Sequence, residues 1–297
     1  MAKDLSIEDI ILNPDRRGIS ALRKFLPPDY CNQAARYVLD SRKNDGGTAL
    51  ITTGFYILTG KIAETDGPPG AIALGNALQK LGFDVVYVTD RHAVLFFTPD
   101  LTGHAKVVEF PITGSEESRC FADDLLDKAQ PDVIISTERC GACPSGRYLN
   151  MVCRDIGEFT AKIDYLFLKG KRSVGIGDGG NEIGMGNLAS EVAKCPTLTP
   201  EPPATCVDKL VIAGVSNWGA YGLIAALSLI VGKNLLPDVE WEKNIIREIV
   251  KRGAVDGVAG VNTPTVDSFD LDQNSKTLEA LIKFVVGHLN KVDRSKT

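Results

Sequence analysis

Short, uniformly apolar runs recur through the middle of the chain, separated by stretches whose apolar positions follow a helical period. Residues 84–89, 105–110, 132–136, 164–168, 173–177 and 209–213 are such runs, most of them rich in Val and Ile. Runs this short and this apolar predict strands buried on both faces. A β-rich run over 48–55 precedes them, where Asp45-Gly46-Gly47 ends an earlier helical pattern. Helices are predicted over 70–81, 115–129 and 218–231; Ser115 and Ser118, with acids at 116 and 117, give the second a capped start. Helical patterns also occupy both ends: 7–12, 19–25 and a segment from Pro27-Pro28 to about Lys43, then 240–252 and 276–290. Strands alternating with helices predict a three-layer α/β/α fold with a mostly parallel central sheet. One domain over 1–297 is expected, with a helical segment at 1–45, an α/β core at 46–233 and a mainly helical segment at 234–297. The proline-rich stretch 196–203 reads as a surface connection.

Composition narrows the function classes. With 44% hydrophobic and 24% charged residues the chain has the make-up of a soluble globular protein. A net charge of −5 without a basic block argues against nucleic acid as a partner. No apolar run is long enough to span a bilayer. The start, with its early acids, fits neither a secretory signal nor a transit peptide. Seven irregularly spaced cysteines read as reduced thiols. A soluble, cytoplasmic protein without membrane partners is expected, and a homo-oligomer stays open.

In open parallel sheets ligands bind beyond the carboxyl ends of the strands, so the loops there are searched for chemistry. Gly175-Ile-Gly-Asp-Gly-Gly-Asn-Glu-Ile-Gly-Met-Gly186 follows one predicted strand. Gly175, Gly177 and Gly180 satisfy a dinucleotide pattern, but Asp178 would repel a pyrophosphate and no acid ends a strand about 20 residues on. No nucleotide cofactor is expected. Asp178, Asn181 and Glu182 on this pliant backbone could instead hold a hard cation or transfer protons, or form a solvated turn.

Glu64-Thr-Asp-Gly-Pro-Pro-Gly70 leads into a helix, where Asp66 could serve a ligand or cap the helix, and Gly67 allows close approach. After the strand at 132–136, Glu138 is a candidate for proton transfer, and Arg139 and Arg147 for carboxylate binding. Cys140 and Cys143 form a single C-x-x-C, short of a zinc site because none of the three histidines has ligand spacing. Ser216 and Asn217 open a further helix as ligand binders or as its cap.

Together these motifs resemble the D-glutamate cyclase family, formerly a domain of unknown function. The matching pieces are Thr53-Gly-Phe55, Glu64 to Ala71, Glu138-Arg139, Gly175 to Gly186 and Ser216-Asn-Trp-Gly219, in family order over about 48–267. Cys140 and Cys143 depart from the pattern, as does Ser268, where glycine is expected. In eukaryotes a similar domain lies within a longer mitochondrial protein, so this chain is expected to be a stand-alone, prokaryotic-type member.

The resemblance implies a lyase that cyclises D-glutamate to 5-oxo-D-proline with loss of water. Such a reaction needs a base for the ammonium and an activator for the carboxylate. Asp178, Glu182, Glu138 and Asp66 could supply acid and base. Carboxylates about 4 Å from an anionic substrate repel it by roughly 4 kcal/mol per pair at an effective dielectric near 20. Arg139 and Arg147, or a divalent cation (Mg²⁺ or Mn²⁺) on Asp178, Glu182 and Asp66, are expected to offset this. A hydrolase of phosphorylated metabolites and a non-catalytic binder of acidic metabolites stay open as alternatives.

Overall fold

The computed structural model describes residues 5–42 and 46–294; the helix end expected at Lys43 and the break at Asp45 lie outside the described residues. Helix α1 (Ile7–Ile11) starts at Ser6, whose hydroxyl accepts from the Asp9 N–H while the Asp9 carboxylate accepts from the Ser6 N–H. Each side chain thereby satisfies a backbone donor that the helix start leaves open. Ile19–Phe25 forms a 3-10 helix, and α2 (Tyr30–Leu39) follows.

The α/β core begins with β1 (Gly47–Thr53), a hairpin of β2 (Tyr56–Ile57) and β3 (Ile62–Ala63), and α3 (Pro68–Lys80). Next come β4 (Phe83–Thr89), α4 (Pro99–Thr102), β5 (Lys106–Glu109), α5 (Ser115–Ala129), β6 (Val133–Thr137) and β7 (Ser173–Gly177). The chain closes with α6 (Ala189–Val192), β8 (Lys209–Ile212), α7 (Ser216–Val231), α8 (Val239–Lys251) and α9 (Leu271–Arg294).

Six strands form one sheet in the order β5-β4-β1-β6-β7-β8, all parallel. Helices cover both faces, which gives the three-layer α/β/α architecture predicted from the alternation. Val and Ile suit the central strands because both faces are dry: Leu50, Ile51, Ile134 and Ile135 are 0% exposed. Burying each such side chain contributes roughly 1.5–3 kcal/mol. Chain order runs outward in both directions from β1 and β6, which pair through Leu50 opposite Ile134. A sheet of this kind leaves a crevice where the order reverses, beyond the carboxyl ends of those two strands.

Helix α7 is buried on every side from Ser216 to Ser228, as its apolar composition demands. It lies against α2, α3 and α9. The approach to α3 is close: a Cβ on Gly70 would stand 2.9 Å from Asn217 Cα and 3.0 Å from Ala220 Cβ.

The run at 164–168 is a correction. It lies in a 3-10 helix, Ile163–Lys169, ended by Gly170 in the left-handed region, and packs on α5 while β6 pairs directly with β7. Unlike the true strands, its Asp-Tyr-Leu-Phe-Leu has no β-branched residue, and an apolar run this short does not by itself separate strand from buried helix. No helix among the described residues is long and apolar enough to cross a membrane.

Candidate active site

The crevice beyond β1, β6 and β7 holds a cavity of about 390 Å³, whose lining includes Arg17, Glu64, Glu138, Asp178, Asn181 and Glu182. Glu138 and Asp178 stand one residue past the ends of β6 and β7. Glu64 and Asp66 come from the segment between β3 and α3, and Asp267 from the connection between α8 and α9. A parallel bridge between Glu64 and Val255 holds these last two segments together. Glu64, Asp66, Glu138, Asp178, Glu182 and Asp267 are each at most 5% exposed.

Two of these carboxylates are bound up by backbone. The oxygens of Glu182 accept from the N–H groups of Asp178, Gly179 and Gly180 at 3.2, 2.6 and 2.8 Å. A carboxylate therefore fills the nest of N–H groups that the glycine-rich loop after β7 creates. Asp66 accepts from the Ser216 and Asn217 N–H groups, both at 2.8 Å, and from its neighbour Gly67 at 2.9 Å. The start of α7 thus receives a negative charge, as its dipole favours. In return Asn217 Oδ1 accepts from Gly67 and Gly70 at the start of α3, so each helix is capped by the segment that opens the other. Gly67 is required here: its φ is +96°, and a Cβ would meet Thr53 Oγ1 at 2.5 Å and Glu138 Cβ at 2.7 Å.

The other carboxyls are freer. Glu138 accepts from the Ser216 hydroxyl at 2.6 Å. Glu64 makes no side-chain hydrogen bond among the described residues, although its backbone N–H bonds to the Phe55 carbonyl. Asp267 Oδ1 is buried without a hydrogen-bond partner among the described residues. Its wall is tight, because a Cβ on Gly257 would stand 1.6 Å from Glu64 Oε2 and 3.4 Å from Asp267 Oδ1. Glu138 (φ +46°) and Asp267 (φ +51°) both occupy the left-handed region, which costs free energy for residues other than glycine. Ser268, at φ +62°, does the same where glycine was expected.

Arg17 supplies the opposing charge. Its Nη1 bridges Asp178 Oδ2 at 2.5 Å and Asp267 Oδ2 at 2.6 Å, with one fifth of its side chain exposed. Burial alone would ease its proton off, but Asp178 and Asp267 outweigh that and raise its pKa. The carboxyls move upward as well. Burial, then the charges of Glu182, Asp66 and Glu64, push Glu138 well above the usual carboxylate range. Burial, then Asp267 and Asp66, do the same to Glu64. Asp178 is raised by burial against the pull of Arg17. Asp66 is pushed up to about 7, by burial and then by Asp267, against the backbone donors of Asn217 and Ser216. At neutral pH such a cluster retains protons or recruits a cation.

Among the described residues, two sets of side chains bring a carboxylate oxygen each within 4.8 Å of one another: Asp66 with Asp178 and Asp267, and Glu138 with Asp178 and Glu182. These sets contain neither Cys nor His, so Cys140 and Cys143 have no part in them. Oxygen-only donors suit a hard divalent ion.

A family model described as D-glutamate cyclase-like, C-terminal, matches residues 7–282. The chain belongs to that family. It is 31% identical to the human "D-glutamate cyclase, mitochondrial", with 86% of this chain and 47% of that protein covered. The cyclase-like chain therefore spans about half the length of that curated relative. Among solved structures, an actinorhodin polyketide ketoreductase with NADPH matches at 15% identity and a TM-score of 0.29, covering 65% of this chain and 68% of that one. A putative oxidoreductase from Escherichia coli matches at 16% identity and a TM-score of 0.30, covering 62% and 71%. Likenesses that low carry no argument.

The structure brings Asp66, Glu138, Asp178, Asn181 and Glu182 of the cyclase-like chain together. Asn181 lines the cavity and donates to the Leu149 carbonyl at 3.1 Å. Gly67, Ser216 and Asn217 lie behind the cavity wall as the capping pairs described above. The two predicted arginines go elsewhere. Arg139 is wholly buried, spanning the carbonyls of Gly54 and Ala161 and pairing with Asp90 at 2.6 Å. Arg147 lies outside the cavity lining, half exposed and paired with Glu201. The guanidinium beside the carboxylates is Arg17, and a second, Arg154, lines the cavity from a loop whose N–H groups at Val152 and Arg154 bond to the Asn150 side chain.

Proposed function

We propose that this chain closes D-glutamate to 5-oxo-D-proline with loss of water, as a lyase of the cyclase type. The observation that carries this reading is a cavity in which two buried carboxyls, Glu64 and Glu138, each raised in pKa by burial, face Asp178 and a guanidinium. Family membership supports it, as does the printed name of the longer human relative.

The proton balance of the reaction fits that pair. As the amine nitrogen bonds to the side-chain carboxyl carbon, it passes from ammonium to amide and sheds two protons. The departing oxygen gains two and leaves as water, so no external acid or base is consumed. One carboxylate must accept from nitrogen while a protonated neighbour donates to oxygen, and each is restored at the end of the cycle. Glu138, its Oε2 fixed by Ser216, and Glu64, whose side chain has no hydrogen-bond partner among the described residues, take these roles. Asp178 orients Arg17, and Glu182 holds the loop that carries Asp178. Amine and carboxyl already share one molecule, so the cavity need only hold a folded conformer and exclude water.

The donor set fits a divalent ion, Mg²⁺ or Mn²⁺, on Asp178 with Asp267 and Asp66, and the unpartnered Asp267 Oδ1 is the oxygen left wanting a ligand. When bound, such an ion would polarise the substrate carboxyl. Glu182, in its nest of three N–H groups, and Asp66, which also accepts from three, suit ligation less than Asp178 and Asp267. The same occupied nest, together with Asn217 on the N–H groups of Gly67 and Gly70, leaves those donors closed to a phosphate. That disfavours both a nucleotide cofactor and the phosphate-hydrolase alternative. All seven cysteines are free, which supports a reducing, cytoplasmic setting.

Incubation with D- and L-glutamate, with Mn²⁺ or with chelator, followed by mass spectrometry, tests the reading. A product lighter by one water is expected from D-glutamate, in an amount that scales with protein. Loss of water from neither enantiomer under any metal condition ends it.

A further inference from the structure

We propose that Arg17 is the built-in counter-cation of the carboxylate cluster, and that a divalent ion binds Asp178 and Asp267 only by displacing it. This rests on the divalent-ion part of the reading above. The Arg17 Nη1 nitrogen lies between one oxygen of Asp178 and one of Asp267, two members of the same three-carboxylate set. A guanidinium and a dication on the same two carboxylates would repel each other strongly in a site this buried. Without Arg17 or an ion, Asp178 and Asp267 would face each other uncompensated, which is severe for buried carboxylates.

The segment is built so that the side chain can leave while the backbone stays. The Asp15 carboxylate accepts from the N–H groups of Gly18, Ile19 and Ser20 at 2.6, 3.1 and 2.9 Å. Neighbouring Arg16 donates to the Asp267 carbonyl at 3.0 Å and lies over the Phe269 ring, with its guanidinium carbon 3.5 Å from the centroid. Arg17 itself is one fifth exposed and borders the cavity, which gives its guanidinium somewhere to go. The second observation is Asp267 Oδ1: 3% exposed at the residue and unpartnered, it gains nothing from Arg17, which takes Oδ2. A guanidinium leaves this oxygen unsatisfied, and an ion would satisfy it.

The test measures Mn²⁺ binding to the full chain by the electron-spin resonance of the free ion, in wild type, Arg17→Gln and Arg17→Lys. Arg17→Gln is expected to bind at least about tenfold more tightly than wild type, because no cation has to be expelled, with Arg17→Lys in between. Equal or weaker binding by Arg17→Gln overturns the proposal. Should the variant fail to fold without metal, hydrogen exchange of wild type decides. Saturating Mg²⁺ should speed exchange of the Arg17 guanidinium Nε–H, read by ¹⁵N NMR, while slowing backbone exchange around Asp178. An Arg17 Nε–H that stays equally or better protected overturns the proposal too. Turnover of D-glutamate is recorded in parallel: turnover without any metal binding sinks the exchange and leaves the cyclase reading standing. Tighter metal binding in Arg17→Gln without wild-type turnover sinks the cyclase reading alone.

Discussion

Glu138 sits one residue past the end of β6 with a left-handed backbone, a buried carboxyl and one hydroxyl donor. Its proton affinity is raised first by burial and then by three acidic neighbours. A group held this way is suited to accept and return protons. Replacing it with Gln keeps the shape and the bond from Ser216 but removes the proton chemistry, so kcat on D-glutamate should fall on the order of 10²–10⁴-fold with KM little changed. Steady-state kinetics checks this, and a fall of less than about threefold would remove Glu138 from the mechanism. Because one carboxyl must be ionised and its neighbour protonated, kcat/KM should trace a bell against pH. Its acidic limb should lie above the ordinary carboxylate range, since both pKa values are raised. The glycine-rich loop announced Asp178 and Glu182 in the sequence because acids on a pliant backbone are an unusual pattern. Arg17 carried no such signal: it meets Asp178 from 161 positions away, and nothing local distinguishes it from Arg16.

Helices α3 and α7 show how elements, not single residues, fix the site. Asp66, just ahead of α3, caps α7, while Asn217, in the first turn of α7, caps α3. This double cap sets the distance between the strand ends that carry Thr53 and Glu138, because Gly67 is pressed between them. Asn217→Ala leaves the buried Gly70 N–H without its acceptor and the Thr65 carbonyl without its donor, while the Gly67 N–H keeps Asp66. It should destabilise the fold by about 2–4 kcal/mol, at roughly 1–3 kcal/mol for each buried group left unsatisfied with partial relaxation. Urea unfolding measures it, and a loss below about 0.5 kcal/mol would show that water or a shifted backbone replaces the cap. Sequence pattern placed both helices and the strands of the core, since burial on both faces selects the Val and Ile that mark them. It misassigned 164–168 because aromatic and leucine side chains serve a buried helical turn and a strand equally well. Whether Asp66 and Asn217 cap or bind ligand was undecidable from sequence, because both uses ask for the same oxygen at the same helix start.

Across the whole molecule, buried acids tie stability to pH in a direction opposite to that of salt-bridged proteins. Asp66 is raised from 3.8 to about 7, and Glu242, beneath α7 and bonded to Asn274 at 3.0 Å, from 4.5 to about 7, in both cases chiefly by burial. In the unfolded chain both ionise near their ordinary values, while the folded chain keeps their protons up to about pH 7. Between those limits the native state binds more protons than the unfolded state. The share of stability these two acids carry is therefore greatest at the acidic end of this window, falls as pH rises through it, and levels off above about pH 7. Glu242→Gln separates the two contributions, because it removes one titrating group far from the proposed ion while Gln still accepts from Asn274. Between about pH 5 and pH 8 the wild type should lose up to about 3 kcal/mol more than this variant in urea unfolding. Saturating Mg²⁺ should restore the Asp66 share in both proteins, since an ion favours the ionised carboxylate, and leave the Glu242 share untouched. Equal pH slopes for wild type and Glu242→Gln would mean that Glu242 ionises as readily inside the fold as outside it. The buried acids would then have to be neutralised by a partner that the carboxylate cluster and α7 do not supply.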